Sequence, residues 1–214
     1  MGEMPVLILG AGGHAKVIVD CLKNYKNIPI LGMLDRDSRL HGESILGVSV
    51  LGDEDILEEK YLPSSIKLVN GIGSVGTASI RRDVFIKFKN VGYDFLQVIH
   101  PTAYIAEEVS IGEGVQIITR SVIHPCTYIG NNVIVNTHVS IDHDCYIGDH
   151  VHLAPGVVCC GGVTIGQGTH IGSGAVILQG VHVGEDCLIA AGAIVTKDVV
   201  AMSKVAGVPA RTME

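Results

Sequence analysis

The sequence predicts a small α/β domain with a parallel sheet, then a long three-sided parallel β-coil, then a short tail, at residues 1–95, 96–198 and 199–214. Two patterns predict it: an unbroken six-residue aliphatic period in the second half, and a strand, glycine turn and helix alternation in the first. A third observation agrees with the division. Lys and Arg number 11 in residues 1–98 but only one, Arg120, in residues 99–195.

The period is the stronger signal. Stepping by six from Ile99 lands on 17 positions ending at Val195, and all but Cys159 are Ile, Val or Leu. Two residues before most of these slots stands a small or β-branched residue or Cys, such as Val109, Val133, Cys145, Ala175 or Cys187. A strand alternates faces every two residues, so both positions point inward, and a corner must follow. Six-residue faces closing as triangles make 18-residue coils that bury each other's aliphatic surface, as in other solenoids. An antiparallel sandwich has no reason to hold this phase for 97 residues. Gly follows the slot at 112, 130, 148, 166, 172 and 184, where positive φ is expected.

Before Ile99, Val6–Leu9 reads as a strand, Gly10-Ala-Gly-Gly-His14 as a turn, and the residues to about Lys23 as a helix. Strands are expected near Pro29–Asp35 and Lys67–Gly71, and a helix near Thr77–Lys89. Gly10, Gly12 and Ala15 fit the dinucleotide fingerprint, with Asp35 ending the second strand. The segment supplies only one mononucleotide-binding half of a Rossmann fold. An anion at the helix N-terminus, as in a nucleotide diphosphate, suits it better than NAD.

Composition narrows the function classes. Gly counts 27 of 214, aromatics are 4% with no Trp, and the net charge is −7, which excludes a nucleic-acid partner bound through a basic face. No apolar run reaches the length of a membrane span. Met-Gly-Glu-Met-Pro lacks the basic and apolar regions of an export signal, and the six cysteines show no CxxC spacing. A cytoplasmic protein with reduced thiols is expected.

The six-residue prism, the Gly-Ala-Gly-Gly-His turn, the closing Ala206-Gly-Val-Pro-Ala-Arg211 and His143 together resemble the bacterial hexapeptide-repeat sugar acetyltransferases. That family comprises sialic acid O-acetyltransferases and UDP-4-amino-sugar N-acetyltransferases, and the resemblance covers nearly the whole chain. It implies a left-handed parallel β-helix, a homotrimer, acetyl-CoA as donor and a nucleotide-linked amino sugar as acceptor, with no metal.

Acetyl transfer needs a base near neutral pKa, and eight of the ten histidines lie in the prism. His143 stands between Asp142 and Asp144, and a flanking carboxylate fixes an imidazole tautomer. In the family resembled, this histidine is the proton acceptor and the next residue, usually Glu, polarises it. Asp144 is one methylene shorter. On the donor side the resemblance implies His152 at the thioester or CoA, and Ser173 and Ala191 along CoA. Backbone N–H groups near Gly161 and Gly162 are candidates for holding the oxyanion, and Lys197, Lys204 and Arg211 of the tail are candidates for the CoA phosphates. On the acceptor side it implies Gly12, Gly13 and His14 at phosphate and sugar, Asp35 and Arg36 at base or ribose, and Gly73. Asn136, in column with His100 and Ala154, is a candidate hydrogen-bonder to the acceptor.

His152 and His170 stack one coil apart, but with no third ligand they read as surface residues, not a metal site. Cys145, Cys159 and Cys187 occupy inward positions and read as inert packing, against an acetyl-cysteine route. Thr119, Ser121 and Thr137 suggest a face packed on a neighbouring subunit. The expected function is N-acetylation of a UDP-type 4-amino-dideoxy sugar. The alternatives are sialic acid O-acetylation, a non-catalytic trimeric nucleotide-sugar scaffold, and a metal hydrolyase on the same helix.

Overall fold

The computed structural model describes residues 4–26, 28–74, 76 and 78–213. Two compact units emerge: the described residues up to Gly73 with Asp83–Val98, and Ser74–Arg82 with the described residues from Ile99 onward.

In the first unit, β1 (Val6–Leu9) pairs in parallel with β2 (Ile30–Leu34) and β5 (Lys67–Asn70). The helix after the glycine turn, α1 (Gly13–Cys21), buries Ala15, Ile18, Val19 and Cys21 at i, i+3, i+4 spacing. A π-helical turn, Leu22–Lys26, ends it. Sequence periodicity misses the segment between the second and third predicted strands. Here β3 (Ser44–Ile45) and β4 (Val48–Gly52) form a hairpin, and α2 (Asp55–Lys60) follows. The sheet order is β3-β4-β2-β1-β5. β3 has two residues, and β4 alternates buried and exposed positions over only five, with apolar Leu51 on the outward side, so the alternation is too brief to stand out. Thr77, the expected start of the next helix, lies outside the described residues, and α3 is described over Ser79–Asn90. Its Val84, Phe85 and Phe88 pack with Leu57, Leu68 and Tyr93.

The second unit is a three-sided parallel β-helix built of two-residue strands. One sheet stacks strands from Tyr104–Ile105 to Ile194–Val195, the second from Ser110–Ile111 to His182–Val183, and the third from Val98–Ile99 to Leu188–Ile189, and paired residues differ by 18. Every slot from Ile117 to Val195 is buried, as are the inward partners Val133, Val139, Cys145, Val151 and Ala175. The β-helix core is therefore continuous.

Three expectations are corrected. Left-handed φ falls three residues after the slot, not one: at Gly114, Arg120, Cys126, Asn132, His138, Asp144, His150 and onward to Gly192. The glycines immediately after the slot are there because adjacent coils nearly touch at that corner. A Cβ on Gly112 would lie 2.6 Å from the Gly130 carbonyl carbon, and one on Gly148 would lie 2.8 Å from the Gln167 nitrogen. Ser121 is no surface residue: it points inward, fully buried, and its hydroxyl donates to the Ile118 carbonyl at 2.8 Å. Nor are His152 and His170 on the surface. Both are buried, with rings 4.9 Å apart in an edge-on contact.

The segment Ser74–Arg82, read from sequence as part of the N-terminal domain, groups with the β-helix because Arg81 is buried in it. The Arg81 guanidinium donates to the carbonyls of Asn132 and His150. Burial lowers its pKa to about 9, and burial with the nearby Arg81 charge lowers that of His150 to about 4, so His150 is neutral. The tail also joins this unit. Lys204–Ala206 pairs in parallel with Leu188–Ile189 and carries Arg211–Thr212 antiparallel on its other side.

Gly148→Ala forces a methyl against backbone of the next coil, where no side chain can yield. We expect a loss of about 1–3 kcal/mol in chemical denaturation, the usual scale of overpacking. Gly162→Ala, whose Cβ meets nothing within 4 Å but whose φ is +69°, is expected to cost about 1 kcal/mol from backbone strain alone.

Candidate active site

The corner Ile141-Asp-His-Asp144 places His143 on the outside of the β-helix. Its backbone N–H donates to the Asp142 carboxylate at 2.9 Å, and Asp144 adopts φ +58°. That conformation lets the short Asp144 side chain reach the neighbouring ring. Nδ1 of His143 lies 2.7 Å from Asp144 Oδ2, with both side chains more than half exposed. The lost methylene therefore does not break the pair. With Nδ1–H donated to the carboxylate, Nε2 is the free basic nitrogen. The Asp144 hydrogen bond, helped by the Asp142 charge, raises the His143 pKa above 6.5.

Gly161 stands one coil beyond His143. A Cβ there would lie 2.8 Å from the imidazole Cε1 and Nε2, so the absence of a side chain makes room for the ring. The Gly162 N–H is spent on the His143 carbonyl at 2.9 Å, which removes it as an oxyanion donor. Gly161 N–H donates to no described residue.

The other donor-side residues lie on different corners. His152 is on the adjoining face, its Nδ1 2.7 Å from Ser74 Oγ and 3.1 Å from the Ser74 carbonyl, and its Nε2 3.4 Å from Asn136 Nδ2. Nε2 accepting from Asn136 leaves Nδ1–H to donate to Ser74. Ser173 and Ala191 are exposed one coil apart along the corner that follows that face. One chain thus does not bring His143 together with His152, Asn136, Ser173 or Ala191. In the tail, Lys197 and Arg211 line a cavity of about 320 Å³ with Ser203 and Thr212, whereas Lys204 is not in its lining.

Cys145 and Cys159 are buried, and burial raises the pKa of both thiols, which disarms them as nucleophiles. Among the described residues no three His, Cys, Asp or Glu side chains gather as a metal-binding group, and no helix is long and apolar enough to cross a membrane.

In the first unit the glycine turn is open on one side: a Cβ at Gly12 or Gly13 would meet nothing within 4 Å. Gly10, at φ +96°, turns the chain into α1, and Gly73 abuts His14. Asp35 organises this turn. Its carboxylate accepts the Ala11 N–H at 2.7 Å and the Asp37 N–H at 2.9 Å, while its carbonyl is 2.8 Å from His41 Nε2. Arg36 is held by Glu54 through two 3.1 Å contacts. Sequence reasoning missed the residues that line the adjoining cavity of about 590 Å³, which are Ala11, Lys16 and the stretch Arg39, Leu40 and Glu43 to Leu46. Six of the eight come from the approach to the hairpin and its first strand and turn, a stretch with too few strand residues to show a period.

Comparison with known proteins agrees with this architecture. Residues 5–88 match the PglD N-terminal domain, and residues 126–161 and 162–197 match the bacterial transferase hexapeptide family. GDP-perosamine N-acetyltransferase of Escherichia coli O157:H7 is 34% identical over 165 residues, 73% of this chain and 70% of that protein. The chain belongs to the PglD-type hexapeptide-repeat acetyltransferases. Its β-helix is accordingly left-handed. Among solved structures, a histidine-to-asparagine variant of perosamine N-acetyltransferase from Caulobacter crescentus, with CoA and GDP-perosamine bound, is 31% identical with TM-score 0.89. The alignment covers 98% of this chain and 97% of that one. The acetyltransferase domain of PglB from Neisseria gonorrhoeae with acetyl coenzyme A is 30% identical with TM-score 0.87, covering 99% and 100%.

The His143–Asp144 pair has a direct readout. By NMR the His143 ring should titrate above 6.5, and Asp144→Asn should move its midpoint down toward that value. An unchanged midpoint would show that the carboxylate does not hold the proton-bearing nitrogen.

Proposed function

We propose that this acetyltransferase moves the acetyl group of acetyl-CoA onto the amine of a nucleotide-linked 4-amino-dideoxy sugar, with His143 as general base. The observation that carries the reading is the exposed His143–Asp144 pair lying directly against Gly161. The amine nitrogen attacks the thioester carbonyl as Nε2 of His143 takes its proton. Asp144 holds the opposite nitrogen and balances the imidazolium charge. The Gly161 N–H is the donor for the tetrahedral oxyanion. Collapse breaks the C–S bond, and the leaving thiolate recovers the proton from the imidazolium, so CoA thiol and the N-acetyl sugar are formed.

CoA runs from His152 along Ser173 and Ala191, and its phosphates meet Lys197 and Arg211 at the terminal cavity. The acceptor nucleotide lies at Gly12, Gly13 and His14, whose turn Asp35 braces. The perosamine relatives are N-acetyltransferases, which favours amine over hydroxyl and disfavours the sialic acid alternative. Their nucleotide is GDP, which does not support the UDP-type expectation.

A homotrimer completes the site. His143 and the donor-side residues occupy separate corners, so a second subunit is needed to unite them. The outward positions Val122, Val158, Val176 and Ile194, with exposed Leu178 beside them, form an apolar stripe suited to that contact. Light scattering should return about three times the 22.6 kDa chain mass, and a monomer that retains full activity would sink the shared site.

Thiol release from acetyl-CoA with nucleotide-linked 4-amino sugars tests the activity. His143→Ala should lower kcat by about 10²–10⁴-fold, the usual contribution of a general base. Gly161→Ala should also lower kcat, because its methyl displaces the ring, while CoA binding persists. Turnover with sialic acid but no amino sugar would overturn N-acetylation.

A further inference from the structure

We propose that Glu43 reads the base of the acceptor nucleotide and selects guanine. This inference rests on the nucleotide-sugar reading above and adds the residue that decides which nucleotide is taken.

The cavity beside the glycine turn contains two kinds of wall. Ala11 and Lys16 come from the turn and the first part of α1, where N–H groups and a lysine suit a diphosphate. The remaining lining, from Arg39 to Leu46, comes from the approach to the β3–β4 hairpin and its turn. Asp35 ties the two walls together, since its carboxylate holds the Ala11 N–H and its carbonyl meets the His41 ring. A volume of about 590 Å³ is ample for a nucleotide.

Within the hairpin wall, Leu40, Ile45 and Leu46 offer apolar surface for a planar ring. Leu46 is 56% exposed although it is large and apolar, and it sits at φ +50° with its carbonyl clamped by Lys23 Nζ at 2.6 Å. A leucine fixed in this way at a cavity rim is a stacking surface. Glu43 is the carboxylate in that lining. Its backbone is engaged, N–H to the Leu40 carbonyl and carbonyl to the Val50 N–H, which holds the residue in place. Its side-chain oxygens meet no hydrogen-bond donor among the described residues.

A carboxylate is an acceptor only, with two oxygens that take a pair of parallel N–H donors. Guanine is the base that presents such a pair, N1–H beside the N2 amino group. Uracil and thymine offer one N–H flanked by two carbonyl oxygens, which a carboxylate repels. Adenine and cytosine place a ring-nitrogen acceptor beside their amino group. Glu43 therefore favours guanine both by the bonds it makes and by those it refuses to the others.

The test is calorimetric binding of GDP, IDP and UDP to the full chain, with Glu43→Gln as the variant, beside the thiol-release assay with GDP- and UDP-linked amino sugars. IDP keeps N1–H and lacks the 2-amino group. We expect wild type to bind GDP about 10–100-fold tighter than UDP, the worth of hydrogen bonds to a charged group, with IDP in between. In Glu43→Gln, GDP should weaken by a similar factor while UDP does not. Equal binding of GDP and UDP by wild type, or GDP selectivity that survives Glu43→Gln, overturns the assignment and leaves acetyl transfer untouched. Selectivity lost in the variant, with no thiol released for any amino sugar, supports the assignment and strikes the transfer reading instead.

Discussion

The 18-residue closure of each coil is the constraint on which the β-helix unit depends. Parallel strands must sit about 4.8 Å apart to share hydrogen bonds, so every residue lies directly over the one 18 places on. That stacking makes a core from aliphatic slots alone. It also fixes what each corner can hold. Where coils nearly touch, at Gly112, Gly130, Gly148 and Gly166, no Cβ fits. Where the chain turns left-handed three residues after the slot, Asn, Asp and His are tolerated beside Gly. The same spacing puts His143 against Gly161, so the candidate base and the amide beside it follow from the register rather than from any local motif.

Polar chemistry on this unit is sorted by depth. Arg81, His150 and His170 are buried, and burial drives all three toward their neutral forms. Arg81, through the carbonyls of Asn132 and His150, and His152, through Ser74, hold the Ser74–Arg82 segment to the β-helix. His143 has the opposite setting: exposed, with Asp144 on one nitrogen and the other open to solvent. The Asp144 carboxylate raises the pKa of this imidazole, whereas burial lowers those of His150 and His170.

In the first unit the corresponding role falls to Asp35. Sequence logic treats an acid at the end of the second strand as a ribose ligand. Here both of its oxygens accept backbone N–H groups, from Ala11 and Asp37, so the acid shapes the glycine turn and the loop after β2 at once. A carboxylate has lone pairs left for a further donor, and the bracing role is compatible with a ligand contact.

What the sequence determined by itself was everything that repeats. The period of six, carried by Ile, Val and Leu over coil after coil, dictates a three-sided parallel helix and its inward residues, since a one-residue slip would turn the core outward. The strand and glycine turn before α1 were equally legible, because the buried apolar run Val6–Leu9 is followed by Gly10 in a backbone conformation that glycine adopts easily. Tertiary structure decided the rest. The β3–β4 hairpin, with Glu43 on its approach, alternates buried and exposed positions over β4 alone, five residues that end in an outward Leu51 and a glycine, too few to mark a strand by period. The burial of Ser121, His152 and His170 depends on partners that are distant in sequence, Asn136, Ser74 and the neighbouring coils. A pattern of six records which residues face inward. It holds no record of which polar group meets which, because those pairings are made across the fold.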